Sequence, residues 1–441
     1  MDSAVLEIAE TSSVLAQPRP SILTAGPVSA DRLEAWTQFL TLPMPKRTDE
    51  AWRFTNLKHL DLSGYTHGAA PDDASADELV ARSTGLESVA GRMVFANDHL
   101  LTANALGAEL RQKGVIWCPL EQAAAEHPEL FARYFMREEA ILGGQKFAAL
   151  HRSQARAGLF LYVPRAVEIA LPIETFHWLH GANASCFPHT LIVAEEMAKV
   201  TVIDYFRSAD ENAPGFACGV NDLWLGSGAN VTYVCAQNWS RRTLALQMNS
   251  TVVGRDASAL ALNLNIGAAF ARNESVSYLR GAGARSDMLA VSAPDGAQEF
   301  DQRTFQDHAV PNTASDLLYK NALDDQARTV FSGLIRVDPG AHRTDAYQKV
   351  RNLLLSDEAE ANSAPGLEIE ANDVRCTHGA TSGQIEEEEL FYLLSRGITR
   401  KAAQKLIVFG FLNEVFDRLR SETLKVQLRD LLRAKLGAAV S

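Results

Sequence analysis

The sequence predicts a mainly β protein whose core is flanked on both sides by helices, and three observations carry that expectation. From about residue 158 to 376 helical periodicity nearly vanishes. Short strand-like runs replace it at 159–163, 200–203, 231–234, 260–262 and 334–337. Within that stretch, punctuating segments centred on Ala198, Ala229, Ala257 and Ala284 recur at separations of 31, 28 and 27 residues, and Ala341 follows 57 later. Before and after it, apolar residues return at helical spacing. Strands and tight turns at such a period suggest a β-solenoid, each coil stacking on the last. A large β-sandwich would also give many short strands between turn signals.

The flanks divide by composition. Residues 1–27, rich in Ser, Ala and Pro, read as a loose tail, and 28–157 as a mainly helical domain. Leu33, Trp36, Phe39 and Leu40 fall on one amphipathic stripe. Thr48 or Asp49 can cap a short helix carrying Trp52 and Phe54, both expected in the core. A further helical stretch over 120–140 breaks at Pro128. The core is expected over 158–376 and a helical domain over 377–441. There, the glutamates at 386–389 complement the positive end of a helix dipole, and Gly397 supplies a stop. Thr399 can cap a second helix, ending near Gly410, and Ser421 a third with Leu424, Leu428, Leu431, Leu432 and Leu436. Helices on both sides of a solenoid can cover its unpaired strand edges, and its flat faces can pair with a second solenoid.

Length and charge bound the function. A chain of 441 residues is long enough for two or three domains. A formal charge of −12 argues against binding nucleic acid or anionic membrane surfaces. No run of 18 apolar residues and no basic, apolar leader occurs, so a cytoplasmic protein is expected. The five cysteines, at 118, 186, 218, 235 and 376, are scattered and contain no Cys-x-x-Cys pair; the first four read as buried apolar filler.

The most informative segment is Cys376-Thr377-His378-Gly379-Ala380-Thr381. In extended backbone, residues i and i+2 share a face, so a thiol and an imidazole can address one metal atom; a buried cysteine beside a hydrogen-bonded histidine is the plainer reading. This string resembles the C-terminal signature of the SufB/SufD family of iron–sulfur cluster assembly scaffolds, in its SufD-like form, with Gly379 where SufB-like proteins carry glutamate. The resemblance extends to Glu50-Ala51-Trp52-Arg53-Phe54-Thr55, Tyr162-Val163-Pro164, and segments from about 300 to 412. It implies a right-handed parallel β-helix between helical terminal domains and a non-enzymatic scaffold role. It further implies pairing with a SufB-like subunit, docking of a SufC-like ABC ATPase, and a nascent cluster or iron near Cys376 and His378 at a site shared with SufB. Homodimers are also possible within it. The ATPase would bind around Leu390, Phe391, Tyr392, Arg396, Gly397, Phe409 and Phe411.

Arg375 and His378 are expected to favour the Cys376 thiolate, the metal-binding form. Two donors do not complete a cluster site, which takes about four. No Gly-x-x-x-x-Gly-Lys-[Ser/Thr] occurs, so no P-loop nucleotide site is expected in this chain. The competing reading is a carbohydrate-active β-helix enzyme, with Asp301, Arg303, Asp307 and His308 as an acid/base cluster. Otherwise Asp307 and His308 are polar residues at a coil turn. His177 and His180, beside Trp178, read as sheet residues rather than ligands.

Overall fold

The computed structural model describes residues 13–15 and 27–437, so the tail expected over 1–27 lies outside the described residues except for 13–15 and Pro27. The chain runs through α1 (Pro27–Thr41), β1 (Thr66–His67), α2 (Asp73–Arg82), the hairpin β2 (Gly91–Ala96) and β3 (His99–Ala103), α3 (Ala108–Gln112) and β4 (Ile116–Pro119). Then come α4 (Leu120–Glu126), α5 (Pro128–Tyr134) and α6 (Gln145–Gln154). The stretch read as mainly helical therefore also supplies four strands. The α4–α5 break falls at Pro128, as the fixed proline φ requires. Trp36 and Phe39 of α1 are buried, but Leu33 and Leu40 are 62% and 61% exposed, so the amphipathic stripe is narrower than its spacing suggested.

The solenoid follows: β5 (Gly158–Val163), β6 (Ile173–Leu179), β7 (Ala184–Cys186), β8 (His189–Ala194), β9 (Lys199–Ser208), β10 (Gly215–Leu225), β11 (Asn230–Asn238), β12 (Thr243–Val253) and β13 (Ser258–Asn265). It continues with β14 (Phe270–Leu279), β15 (Arg285–Ser292), β16 (Glu299–His308), β17 (Ala314–Leu323), β18 (Arg328–Val337), β19 (Asp345–Leu354), β20 (Glu360–Ile369) and β21 (Arg375–Gln384). From β8 onward successive strands alternate between two parallel sheets, one ordered β20-β18-β16-β14-β12-β10-β8-β5 and the other β21-β19-β17-β15-β13-β11-β9-β6. The parallel β-solenoid and its flanking helices are thus as the sequence predicts.

The alanine repeat is a corner of the coil. Each of Ala198, Ala229, Ala257, Ala284 and Ala341 is fully buried and follows a residue with left-handed backbone: Met197, Gly228, Asp256, Gly283 and Gly340. Each alanine N–H closes a tight turn onto the carbonyl three residues back, at 3.0–3.2 Å. The corner leaves little space inside, which selects a small side chain. The gap between Ala284 and Ala341 is filled by Asn312 (φ 63) and buried Thr313, which repeat the corner without the alanine. Ala166-Val167 and Asp373-Val374 are the first and last of eight such corners.

The first coils enclose aliphatic and aromatic side chains, including Leu161, Ile192, Val202, Val231 and Phe206. The later ones enclose a polar ladder. Asn321 donates to Asn352 at 2.8 Å, Asn352 donates to Ser363 and Ser382 at 3.2 and 3.1 Å, and Gln302 donates to Ser292 at 2.8 Å.

After the solenoid come α7 (Glu387–Ser395), α8 (Arg400–Phe416) and α9 (Glu422–Leu436). Thr399 and Ser421 cap α8 and α9 by accepting from the N–H three residues on. Helix α8 runs past Gly410, because Leu412, Val415 and Phe416 continue its buried face against β15 and β17. These helices lie on the sheet face, not across the end of the stack.

Candidate functional site at the open end

At the start of the stack each sheet ends on a short antiparallel strand: β3 pairs with β2, which lies beside β6, and β4 pairs with β5. At the other end, β20 and β21 are the last strands of their sheets and have no outer partner among the described residues. Cys376 and His378 lie within β21, in register with Ala346 and Gln348 of β19. Ala346 and Gln348 are buried inside the coil, so Cys376 and His378 share the inward face of a coil that has no lid. Cys376 is half-buried against Ile335, Val337, Ala341 and Ala346, and every other residue of β21 is exposed.

Burial pushes the Cys376 thiol upward, aided by nearby Asp345 and opposed by a hydrogen bond from the Ala346 backbone. The expected thiolate bias from Arg375 and His378 is therefore corrected: desolvation by the apolar last coil outweighs it. Among the described residues no group of three or more His, Cys, Asp or Glu side chains is placed to hold a metal.

The two open edges differ. Pro365 stands mid-strand in β20 and has no N–H to offer a further strand, whereas all ten residues of β21 retain theirs. Sequence reading placed Cys376 just ahead of a helix and missed β21, whose small polar residues give no hydrophobic alternation. The corner period was the usable signal, since Asp373-Val374 comes 33 residues after Ala341.

On α7, Phe391 and Tyr392 are 71% and 57% exposed, while Leu390 is buried and faces the protein's own core. Arg396 lies over the Tyr392 ring at 5.0 Å, and Gly397 takes φ 81 as the helix stop. Phe409 and Phe411 are half-buried; Arg433 covers the first, and Lys320 lies 4.4 Å over the second while donating to its carbonyl. A cavity of about 810 Å³ runs between β19, α7 and α8, with Lys320, Arg351, Tyr392, Phe411 and Glu414 on its walls.

The acid/base cluster dissolves on inspection of its faces. Asp301 points out of its sheet into a buried knot with Arg272, Arg303 and the Thr55 hydroxyl. Asp307 shares that outer face, paired with Arg336 at 2.9 Å, and His308 points inward to Thr313 and Ser315, each at 2.8 Å. Six residues of strand separate the carboxylates by about 20 Å, against at most about 9.5 Å for a glycosidase pair. His177 is stacked between Phe95 and Phe206, a sheet residue as read, and His180 lies just past β6.

The Trp52 segment is an anchor: its ring lies 3.7 Å from the Arg272 guanidinium, its N–H donates to the Gly143 carbonyl at 3.0 Å, and Thr55 reaches Asp301. Phe54, expected in the core, is 44% exposed.

Residues 177–411 match the family described as SUF system FeS cluster assembly, SufBD core domain, and residues 22–175 match the SufBD protein N-terminal region. The chain belongs to the SufBD family. Its sequence is 30% identical over 412 residues to the iron–sulfur cluster assembly protein SufD of Bacillus subtilis, spanning 92% of this chain and 93% of that one. It is 28% identical over 403 residues to a SufBD family protein of Synechocystis, covering 88% and 87% of the two chains. It is 25% identical over 423 residues to one of Staphylococcus saprophyticus, covering 93% and 89%. The chain is thus a SufD-like iron–sulfur cluster assembly protein of the SufBD family, and the carbohydrate-enzyme reading finds no support.

Proposed function

We propose that this SufD-like protein is a non-enzymatic scaffold that pairs its open solenoid end with a SufB-like subunit and docks an ABC-type ATPase on α7 and α8. In this reading the nascent cluster is cargo, held where Cys376 and His378 meet donors from the partner. The observation that carries it is the outer edge of β21, which has no partner strand among the described residues. A ten-residue edge whose outward N–H and C=O groups lack a partner strand invites strand addition, and the only metal-type donors on its inward face are Cys376 and His378. An incomplete donor set at an uncapped edge suits a site completed by a second chain and opened again for transfer. The exposed Phe391 and Tyr392, beside the cavity under α8, offer the apolar anchors typical of an interface centre. Work in the cytoplasm is part of the same reading.

The test is reconstitution with a SufB-like subunit and the ATPase, followed by cluster formation on an acceptor. Cys376→Ala and His378→Ala should assemble the complex yet lose most cluster output. Full output from both variants would remove these residues from the site. Failure of the wild-type chain to form a complex, or pairing only with itself, would remove the heteromeric reading.

A further inference from the structure

A second cavity lies away from Cys376 and His378, where α8 and α9 pass over the corners of three coils. It encloses about 530 Å³ and is floored by Pro294, Ala322, Leu355, Val408 and Leu436. Four cations line it, Arg400, Lys401, Lys405 and Lys435, against two carboxylates, Asp295 and Asp324. Asp295 is already shared by Lys435, at 2.8 Å, and Arg241. Lys405 donates to the Gly437 carbonyl at 2.6 Å, Arg400 stands 3.9 Å from Glu387, and Lys401 has no ion pair among the described residues. In a chain of net charge −12, this is a partly apolar pocket with a net positive rim.

We propose that this cavity binds a small organic phosphate, its anionic group held by Arg400 and Lys401 and its apolar body laid against Val408 and Leu355. Phosphate draws charge-assisted hydrogen bonds from arginine and lysine, and these strengthen beside apolar walls that exclude water. The volume falls in the range of small-ligand sites rather than that of a flat docking face. The proposal is independent of the reading given for the open end.

Pyridoxal 5′-phosphate serves as the probe on the full chain. Its aldehyde condenses with a lysine ε-amine with loss of water, and borohydride then adds hydride to the imine and fixes the label for peptide mapping. Labelling should concentrate on Lys401, Lys405 or Lys435 at probe concentrations that leave other lysines unmodified. Phenyl phosphate should suppress it at least fivefold, and better than inorganic phosphate does. The double variant Arg400→Glu, Lys401→Glu should lower labelling of Lys405 and Lys435 about tenfold with an unchanged melting transition. Label spread over surface lysines in proportion to exposure would overturn the proposal. So would equal protection by inorganic phosphate, which would mark an anion site with no use for the apolar walls.

Discussion

The two ends of the solenoid solve the same problem in opposite ways. At the first end, each sheet finishes within the chain on a short antiparallel strand, β3 or β4, which offers little edge for a further strand. At the last end the sheets stop on ten-residue parallel strands, and the outward side of the β21 backbone is left without a partner among the described residues. A parallel stack left open is an aggregation hazard unless another chain regularly covers it. The difference teaches where the molecule is complete and where it is half of something.

The largest effects fall on the wall of the stack, at β14 and β16, rather than on its last edge. Trp52→Ala removes a fully buried ring, and Asp301→Ala leaves Arg272 and Arg303 buried without their shared carboxylate. Each should cost about 3–5 kcal/mol in urea unfolding.

Acid should tell next. Burial pushes His177 down to about 3 and His308 down to about 4, from an ordinary 6.5. Both stay neutral when folded, while the unfolded chain takes up protons as pH falls below about 6.5. Their contribution is therefore complete above that pH and is lost as pH drops towards 4. Asp204, raised to about 6 by burial, opposes them by favouring the folded state as pH falls from about 6 to 3.8. In His308→Gln the stability lost between pH 6.5 and 4 should be smaller than in wild type by about 3 kcal/mol.

At the open end the same kinds of change should barely touch stability. Ala380→Lys puts a charge on the inward face of an exposed edge strand, a substitution that blocks strand addition. Unfolding should move by less than about 1 kcal/mol while association with a SufB-like partner, read by gel filtration, is lost. Smallest in energy is Cys376 itself. As the only half-buried cysteine beside four buried ones, it should react first with iodoacetamide, yet more slowly at pH 7 than a free thiol, because its pKa is raised.

Legibility in the sequence follows the same division. Strands with aliphatic faces, such as 200–203 and 231–234, were visible because they line the apolar coils. β14, β16 and β21 were not, since the later coils enclose Asn, Gln, Ser and His, which break the apolar alternation of a strand. The corner alanines exposed the period, and Thr313 hid one beat of it because a hydroxyl also fits there when it bonds to His308. Cys376 and His378 were legible as a pair, but their protonation was not. The apolar residues that raise the thiol, Ile335, Val337 and Ala346, lie 30 to 41 positions away in sequence. Leu390 showed the limit of hydrophobicity on α7, where only burial separates a core leucine from the exposed Phe391 beside it.

The most direct measurement is amide hydrogen exchange over residues 375–384, in the free chain and in a mixture with a SufB-like subunit. The account predicts fast exchange of the outward amides of β21 in the free chain and strong protection in the complex, with the strands around Trp52 and Asp301 protected in both. A complex that forms while β21 continues to exchange as in the free chain would contradict it.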